Sequence, residues 1–569
     1  MQSLSAPTRT EVDRAHEKGF WLDIGLQSMH NLKHTSRWKW LLWTLLFASS
    51  IPLHLFYNSA FFSTISANDY QYSLAQGPEM QGLLPDISKF DWQCAGFPAG
   101  ADVGACSSPD IEPTNWEFLN PSDCLYAYAV DFLSDRRDLV IVLGDYTLNN
   151  TFLNMGNTPA RDNLNLGTGN RAPFDWICEV SQEMISNWAQ GGSCSTEWRE
   201  INPVNWRIDV DPVIGKSSEV RYCLSETTTS RCQLQFNLPL LAIVVAFNAV
   251  KVTCMAIVAT RMRDNPLVTL GDAIASFSNS PEPLTKDICL VSESYLEGLD
   301  NNKDTASLSV AYQPQKTRWI TTASRQHWII ICFLFLLALS TSLGLLGYAM
   351  DKLSSNYGVH GFSSLWQLGI GRASSENIIT GPGWAIPTQG YKALLASVLL
   401  ANIPQLIFSM IYLVFNSLCT KLFLALEWAS YGHSRKPLRV SDPHGDQRST
   451  YFLNIPFRFG VPLMVYSSLL HWLLSQSIFV VAVTFWDGNV VDTSNSVTSC
   501  GFSPAAMILT AIVGASLILT SLAVGYFKHL QCDMPQAGSC SKAIAAACHP
   551  PEDGSDPLKP MKWGVVSKH

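Results

Sequence analysis

Residues 328–350 read WIIICFLFLLALSTSLGLLGYAM, 23 positions without one charged side chain. A helix that crosses a bilayer needs about 20 mostly apolar residues. Five further blocks approach that length: WLLWTLLFASSIPLHLFYNSAFF near 40–62, LPLLAIVVAFNAVKVTCMAIVAT near 238–260, and stretches near 393–418, 461–485 and 503–527. The first contains Pro52 and His54 and the second contains Lys251, which softens their boundaries. Charged residues make up 15% of the chain, below the roughly 25% of soluble domains. Six such blocks separated by polar segments predict an α-helical polytopic membrane protein of about six spans.

Lysine and arginine collect on the cytosolic flanks of spans. Segments 1–39, 261–327, 419–460 and 528–569 hold 24 of them, whereas the short loops 351–392 and 487–500 hold 3. Both termini of the chain are therefore expected in the cytosol, in the plasma membrane or a secretory-pathway membrane. The long segment 61–236 falls on the other side. It has 23 acidic against 10 basic residues, a net charge of −13, while the whole chain stands at −8. A surface of that sign excludes nucleic acid as a partner.

Residues 65–235 are expected to form a mixed α/β extracytosolic domain. Cys94, Cys106, Cys124, Cys178, Cys194, Cys223 and Cys232 lie in it, and Cys500 in the last outer loop makes the set even. An even set in an oxidising compartment predicts disulfide staples, and eight cysteines allow 105 pairings. Asn149, in NNT, is a glycosylation sequon on the same side. RDLVIVLGDYTL reads as a strand and turn, AYAVDFL and EVSQEMISNWAQ as short helices. Trp92, Trp116, Trp176, Trp188, Trp198 and Trp206 are expected to build its core rather than to stack on sugars.

Polar side chains inside spans are costly and mark function or helix contacts. His54, Asn248, Lys251, Asn402, Gln405, His471 and Gln476 are the candidates, and Pro404 beside Gln405 can kink its helix. On the cytosolic side, Arg435, Lys436, Arg439, Arg448 and Arg458 could hold anionic head groups. NPLVTLGDAIASF is amphipathic enough to lie along the membrane. Cys532 is juxtamembrane and a candidate for palmitoylation. Cys540, Cys548 and His549 lack a fourth ligand at metal-site spacing, so no metal or other cofactor is expected. His30 and His34, at i and i+4, sit in a basic helix and read as surface.

Four blocks carry a resemblance: LSAPTRTEVDRAHEKGFWLDIG with IPLHLFYNSAFFSTISANDY; PLVTLGDAIASF; RKPLRVSDPHGDQRSTYFLNIPFRF with LHWLLSQSIF; and GSCSKAIAAACHPPE with KWGVV. The chain resembles fungal polytopic membrane proteins defined by a domain of unknown function. The resemblance implies a multi-spanning protein with an outer domain and implies no activity. It also implies that a hydrophobic region precedes the block like MQSLSAPTR, with a cysteine where Ser3 stands. On that reading Met1 is an internal methionine and the chain lacks an N-terminal portion. An in-frame stop just upstream of Met1 in the transcript would rule that out.

No Gly-rich phosphate loop, nucleophile elbow or zinc helix occurs, so the chain is not expected to be an enzyme. The large outer segment favours a surface sensor or scaffold whose inner loops recruit partners. The alternative is a transporter or channel with Lys251, Asn402, Gln405, His471 and Gln476 along a path. A membrane-embedded enzyme would need carboxylates at the membrane plane, where Glu427 is the obvious inner one.

Overall fold

The computed structural model describes residues 1–76, 115–130, 132–144, 152–158, 174–178, 198, 201–211, 216–231, 233–262, 264–286, 288–297, 315–357, 359, 361–373, 377–379, 390–451, 454–487, 490–532, 534–551 and 555–564. Cys94, Cys106, Cys194, Cys232, Asn149, Trp92, Trp188 and the EVSQEMISNWAQ segment lie outside the described residues.

After a single helical turn at Gln2–Ser5 comes α1 (Arg9–Glu17), started by a capping box in which Thr8 and Glu11 satisfy each other's backbone amides. Two tandem helices follow, α2 (Arg37–Ala48) and α3 (Ser50–Phe56), then strands β1 (Phe61–Asn68) and β2 (Tyr70–Gln76). Next come β3 (Trp116–Leu119), α4 (Pro121–Tyr128), β4 (Arg136–Leu143), β5 (Phe152–Thr158), β6 (Arg207–Asp211), β7 (Lys216–Thr227) and β8 (Gln233–Phe236). Then α5 (Leu238–Arg261), α6 (Leu270–Asn279), β9 (Gln315–Arg318), α7 (Arg325–Tyr357) and α8 (Gly390–His433). The chain closes with β10 (Arg439–Val440), β11 (Arg448–Ser449), α9 (Phe457–Ser477), β12 (Ile478–Asp487), β13 (Val490–Phe502), α10 (Pro504–Phe527), β14 (His529–Cys532) and α11 (Ser541–Ala547).

Five helical stretches are long and apolar enough to cross a membrane: Arg37–Phe56, Leu238–Arg261, Arg325–Ser355, Gly390–His433 and Pro504–Phe527. With the sheets described below, they are consistent with a polytopic membrane protein carrying an α/β domain. α9 has 21 residues, about 31 Å, and is not among these five; it carries Arg458, His471 and Gln476. The bundle is layered around α8, whose spanning window is 33% buried against 11% for α5 and 6% for α7.

At one end of the bundle the helices become strands without loops. α3 leads to β1 through one short turn, α9 runs straight into β12, β13 into α10, and β8 into α5. These strands form one sheet in the order β13-β12-β1-β8. β1 and β12 leave the bundle in the same direction and pair in parallel, with Thr64 opposite Ala482. β8 and β13 return toward it and pair antiparallel to them. Strand polarity thus follows helix direction. The last eight residues expected in the fifth span, 478–485, belong to β12, because the run IFVVAVTF is β-branched and aromatic.

One residue beyond β1 the chain enters a distal sheet of order β3-β7-β4-β2-β5, with β6 paired to β7. Its core holds Trp176, Trp198, Trp206 and Tyr128, and Trp116 is buried nearby. A disulfide joins Cys124 to Cys223 across 99 residues of sequence, and Cys178 is also disulfide-bonded. Cys500 is not part of such a set: it is a buried free thiol whose Sγ donates to the carbonyl of Ser397 at 3.3 Å. β13 places it against α8, where no cysteine faces it. The helix expected over 127–133 begins earlier and ends at Tyr128, since Asn120 caps it and Pro121 occupies its first turn.

At the other end, residues from 1–36, 264–297, 434–455 and 534–564 assemble with the end of α8 into a second module. Its core includes Val12, Ile24, Phe277, Trp428 and Ile544. NPLVTLGDAIASF forms α6 here, and its apolar face packs on α11 and this core instead of on a membrane. Gly271 is required where α6 also meets β10, because a Cβ there would collide with the Arg439 carbonyl.

Candidate functional site

One face of α8 is polar along its spanning length. Asn402, Gln405, Ser409, Tyr412 and Asn416 recur at spacings of three and four residues, which stack on one side of a helix. Pro404 sits among them and lacks the amide hydrogen that would bond the carbonyl four residues back.

The neighbours of this face are the α3–β1 corner and α9. Asn402 Nδ2 donates to Ser59 Oγ at 2.5 Å and to the Val398 carbonyl at 2.8 Å. Gln405 Oε1 accepts from Asn58 Nδ2 at 2.6 Å. One turn deeper, Ser409 Oγ lies 3.4 Å from His54 Nδ1 and 3.4 Å from His471 Nε2, and it donates to the Gln405 carbonyl at 2.9 Å. The imidazoles of His54 and His471 stack with centroids 5.7 Å apart. Phe408 closes the cluster with its ring edge on His471 at 4.9 Å. Further along, the Tyr412 hydroxyl faces Ser467, one turn before His471. The Oδ1 of Asn416 is buried with no hydrogen-bond partner. The stripe therefore descends from the sheet corner into the bundle and ends on an open acceptor.

Four of the seven intramembrane candidates, His54, Asn402, Gln405 and His471, meet in this stripe. Asn248 is exposed on α5, and Lys251, three residues on, is partly buried and within electrostatic reach of His54 without a hydrogen bond to the stripe. Gln476 bonds its neighbour Ser475 at 3.3 Å and touches Gly371, away from the stripe. Asn58, Ser59, Ser409, Tyr412, Ser467 and Asn416 are additions. The 3–4 spacing along 402–416 carried the signal for three of them; the other three belong to partner helices.

A second polar constellation lies in the module. His16 Nδ1 contacts the Glu282 carboxylate at 2.7 Å, and its Nε2 contacts Ser541 Oγ at 2.8 Å. The carboxylate only accepts, so Nδ1 carries its hydrogen toward Glu282 and Nε2 faces the hydroxyl. The order acid, imidazole, hydroxyl is that of a nucleophilic triad. Ser541 is 0% exposed, however, and its oxygen also accepts the amide of Leu22 at 3.0 Å. No space remains beside Oγ for a carbonyl to be attacked. The three residues come from the N-terminal segment, the α5–α7 loop and the tail, and they fasten those pieces together. Asp23 and Asn31 act likewise: Ser539 Oγ donates to Asp23 at 2.6 Å, and Asn31 Nδ2 donates to the carbonyls of Ser5 and Asp23.

The basic candidates separate. Arg439 lies over the Tyr451 ring and donates to the Ser449 carbonyl, while Lys436 exchanges backbone bonds with Met561. Arg435 and Arg448 are exposed on the module. Arg458 stands at the start of α9, over the Phe459 ring. Cys532 is paired through its backbone with Gln315 in the β14–β9 ribbon. Cys540 is buried, and His549 Nε2 meets Thr285 Oγ1 at 3.0 Å. His30 and His34 contact one another and the rings of Trp21 and Phe20.

Residues 1–64 match the model of a family of unknown function, DUF6536, and residues 295–569 match that of a domain of unknown function, DUF8419. The polar stripe joins these two matched regions, since His54, Asn58 and Ser59 come from the first and Asn402, Gln405, Ser409 and His471 from the second. No curated protein and no solved structure matches the chain. What the comparisons supply is a chain that is similar, over two separate regions, to families whose activity is unassigned.

Proposed function

We propose that the protein is a transmembrane sensor or scaffold in which the distal α/β domain is coupled through the bundle to the module. The observation that carries this reading is the loop-free passage of α9 and α10, and nearly of α3 and α5, into adjacent strands of one sheet. A paired strand cannot tilt alone, so a shift of the sheet moves several spans together. The module gathers the segments that flank those spans at the end away from the sheet and is the place to read such a shift. The 24 basic residues in the four module-side segments support a cytosolic module and an extracytosolic distal domain. The acid–His–Ser constellation is treated as a fastening, and the reading is non-enzymatic.

Val481 is 0% exposed in the centre of the sheet. In reconstituted full-length protein, Val481→Ala should accelerate amide exchange in 264–297 and 534–551 as well as in the strands. Acceleration confined to the strands would sink the coupling. The orientation is checked by protease protection of 65–235 in sealed microsomes.

A second reading, transport, is favoured by the Ser409–His54–His471 cluster and the unpartnered Asn416 Oδ1. Its test is cation and proton flux in liposomes and the loss of flux in His471→Ala. Absence of flux across that panel removes it.

A further inference from the structure

At the module end of the bundle three cations gather without an acid. Arg318 lies 4.1 Å over the Tyr526 ring, and Lys528 Nζ lies 4.6 Å over the Trp319 ring. The two are drawn together by the β9–β14 ribbon, where His529 pairs with Arg318 and the Trp319 amide donates to the Lys528 carbonyl. Trp319 meets Phe423 at 5.3 Å, Phe423 meets Phe459 at 4.9 Å, and Arg458 lies 4.8 Å over Phe459. Among the described residues no ion pair joins Arg318, Arg458 or Lys528 to a carboxylate. Burial, and then the Arg458 charge, lower the pKa of Lys528, so the two cations feel one another. Ring contacts ease but do not neutralise them. Aromatic residues and basic residues of this kind mark the interface of a bilayer.

Above this belt lies a cavity of about 590 Å³ between α7, α8, α9 and α10. It reaches Leu522 on α10, six residues before Lys528, about 9 Å along the helix. At its far end it reaches Met507, about 22 Å higher. Three of its four lining hydroxyls already donate to their own helices: Thr341 to Leu337, Ser477 to Leu473 and Thr510 to Ala506, each at 2.8 Å, the fourth being Ser342. Such walls offer water fewer than the two to four partners it needs. Leu336 and Leu519 at the mouth are 65% and 63% exposed, so the opening faces the hydrocarbon around the bundle.

We propose that this end of the protein binds one anionic phospholipid, with its phosphate head group on Arg318, Arg458 and Lys528 and an acyl chain in the cavity. Charge complementarity selects the head, and the dry cavity within one helical stretch of it selects the chain. A soluble phosphate ester satisfies only the first part, and a zwitterionic lipid only the second.

The test is the thermal shift of the detergent-solubilised full chain on adding phosphatidylserine, phosphatidylcholine or glycerophosphoserine. The variants are the triple Arg318→Gln, Arg458→Gln, Lys528→Gln and, separately, Gly514→Leu. Gly514 borders the cavity and a Cβ there meets nothing within 4 Å, so a leucine side chain starts into the open space of the cavity. The expected result is a shift by phosphatidylserine alone, lost in both variants. Apparent affinity should fall roughly fivefold per cation removed, on the order of a hundredfold for three. An equal shift by phosphatidylcholine, an equal shift by glycerophosphoserine, or a phosphatidylserine shift that survives either variant overturns the proposal.

Discussion

The two ends of the bundle are held by different chemistry. At the sheet end, four strands continue or nearly continue the helices, and backbone hydrogen bonds in register join them. At the module end, four segments far apart in sequence meet, and single side chains fasten them: His16 to Glu282 and Ser541, Asn31 to Ser5 and Asp23, Asn454 to Gly25 and Val268. A ladder spreads its energy over many equivalent bonds, so one substitution removes little of it. A fastening concentrates its energy in one buried group, and losing that group leaves a partner unsatisfied.

The largest effect should come from His16→Ala. It leaves the Glu282 carboxylate, in a residue 4% exposed, without its partner, a loss of about 3–5 kcal/mol for a broken buried pair. Limited proteolysis should then cut the N-terminal segment and tail while the distal domain stays resistant. Resistance at both ends would mean that the fastening is dispensable. Gly501→Val tests the sheet end. A Cβ there would sit 2.6 Å from the Phe479 ring on the neighbouring strand, and overpacking of this kind costs about 1–3 kcal/mol. The melting temperature should fall by less than in His16→Ala; a larger fall reverses the comparison.

Thr269→Ala removes the capping box of α6 and the hydroxyl bond to the Arg439 carbonyl, worth about 1 kcal/mol. Amide exchange in 270–279 should quicken with little change elsewhere. Asp138→Asn, in the distal sheet, should have the smallest effect and the opposite sign. Burial raises the pKa of Asp138 against the opposing bond from the Gln71 amide. A carboxyl raised in the folded state stabilises below its unfolded pKa, and that contribution is lost as pH rises through the folded value. The neutral amide keeps an oxygen for Gln71. The variant should therefore be more stable than the parent at pH 7 and lose this advantage on acidification. A pH-independent difference would contradict the assignment.

The apolar blocks were legible because stretches of membrane length leave few other folds, and helices long and apolar enough to cross a membrane occupy five of the six. The strand over 478–485 was not read from the apolar run, since buried strand and span look alike in hydropathy and only the β-branched content separates them. Of the polar stripe, Asn402, Gln405, His54 and His471 were visible as costly residues in apolar blocks. Ser409 was not, because serine is common in spans and acquires meaning only between two histidines. Cys124, Cys178 and Cys223 were visible as disulfide candidates, yet Cys500, grouped with them, is a free thiol on another surface, since cysteine content says nothing of which thiols face one another.

Length, hydropathy and charge distribution determine a multi-spanning chain with two kinds of flanking segment, because those properties act on each stretch independently of its neighbours. Which stretches meet was decided by tertiary structure alone. His16 finds Glu282 and Ser541 across 266 and 525 residues, and His54 meets Ser409 across 355. The strands inherit their polarity from the helices that deliver them. Contacts of that kind depend on packing geometry and on the satisfaction of buried polar groups, which no local pattern in the sequence encodes.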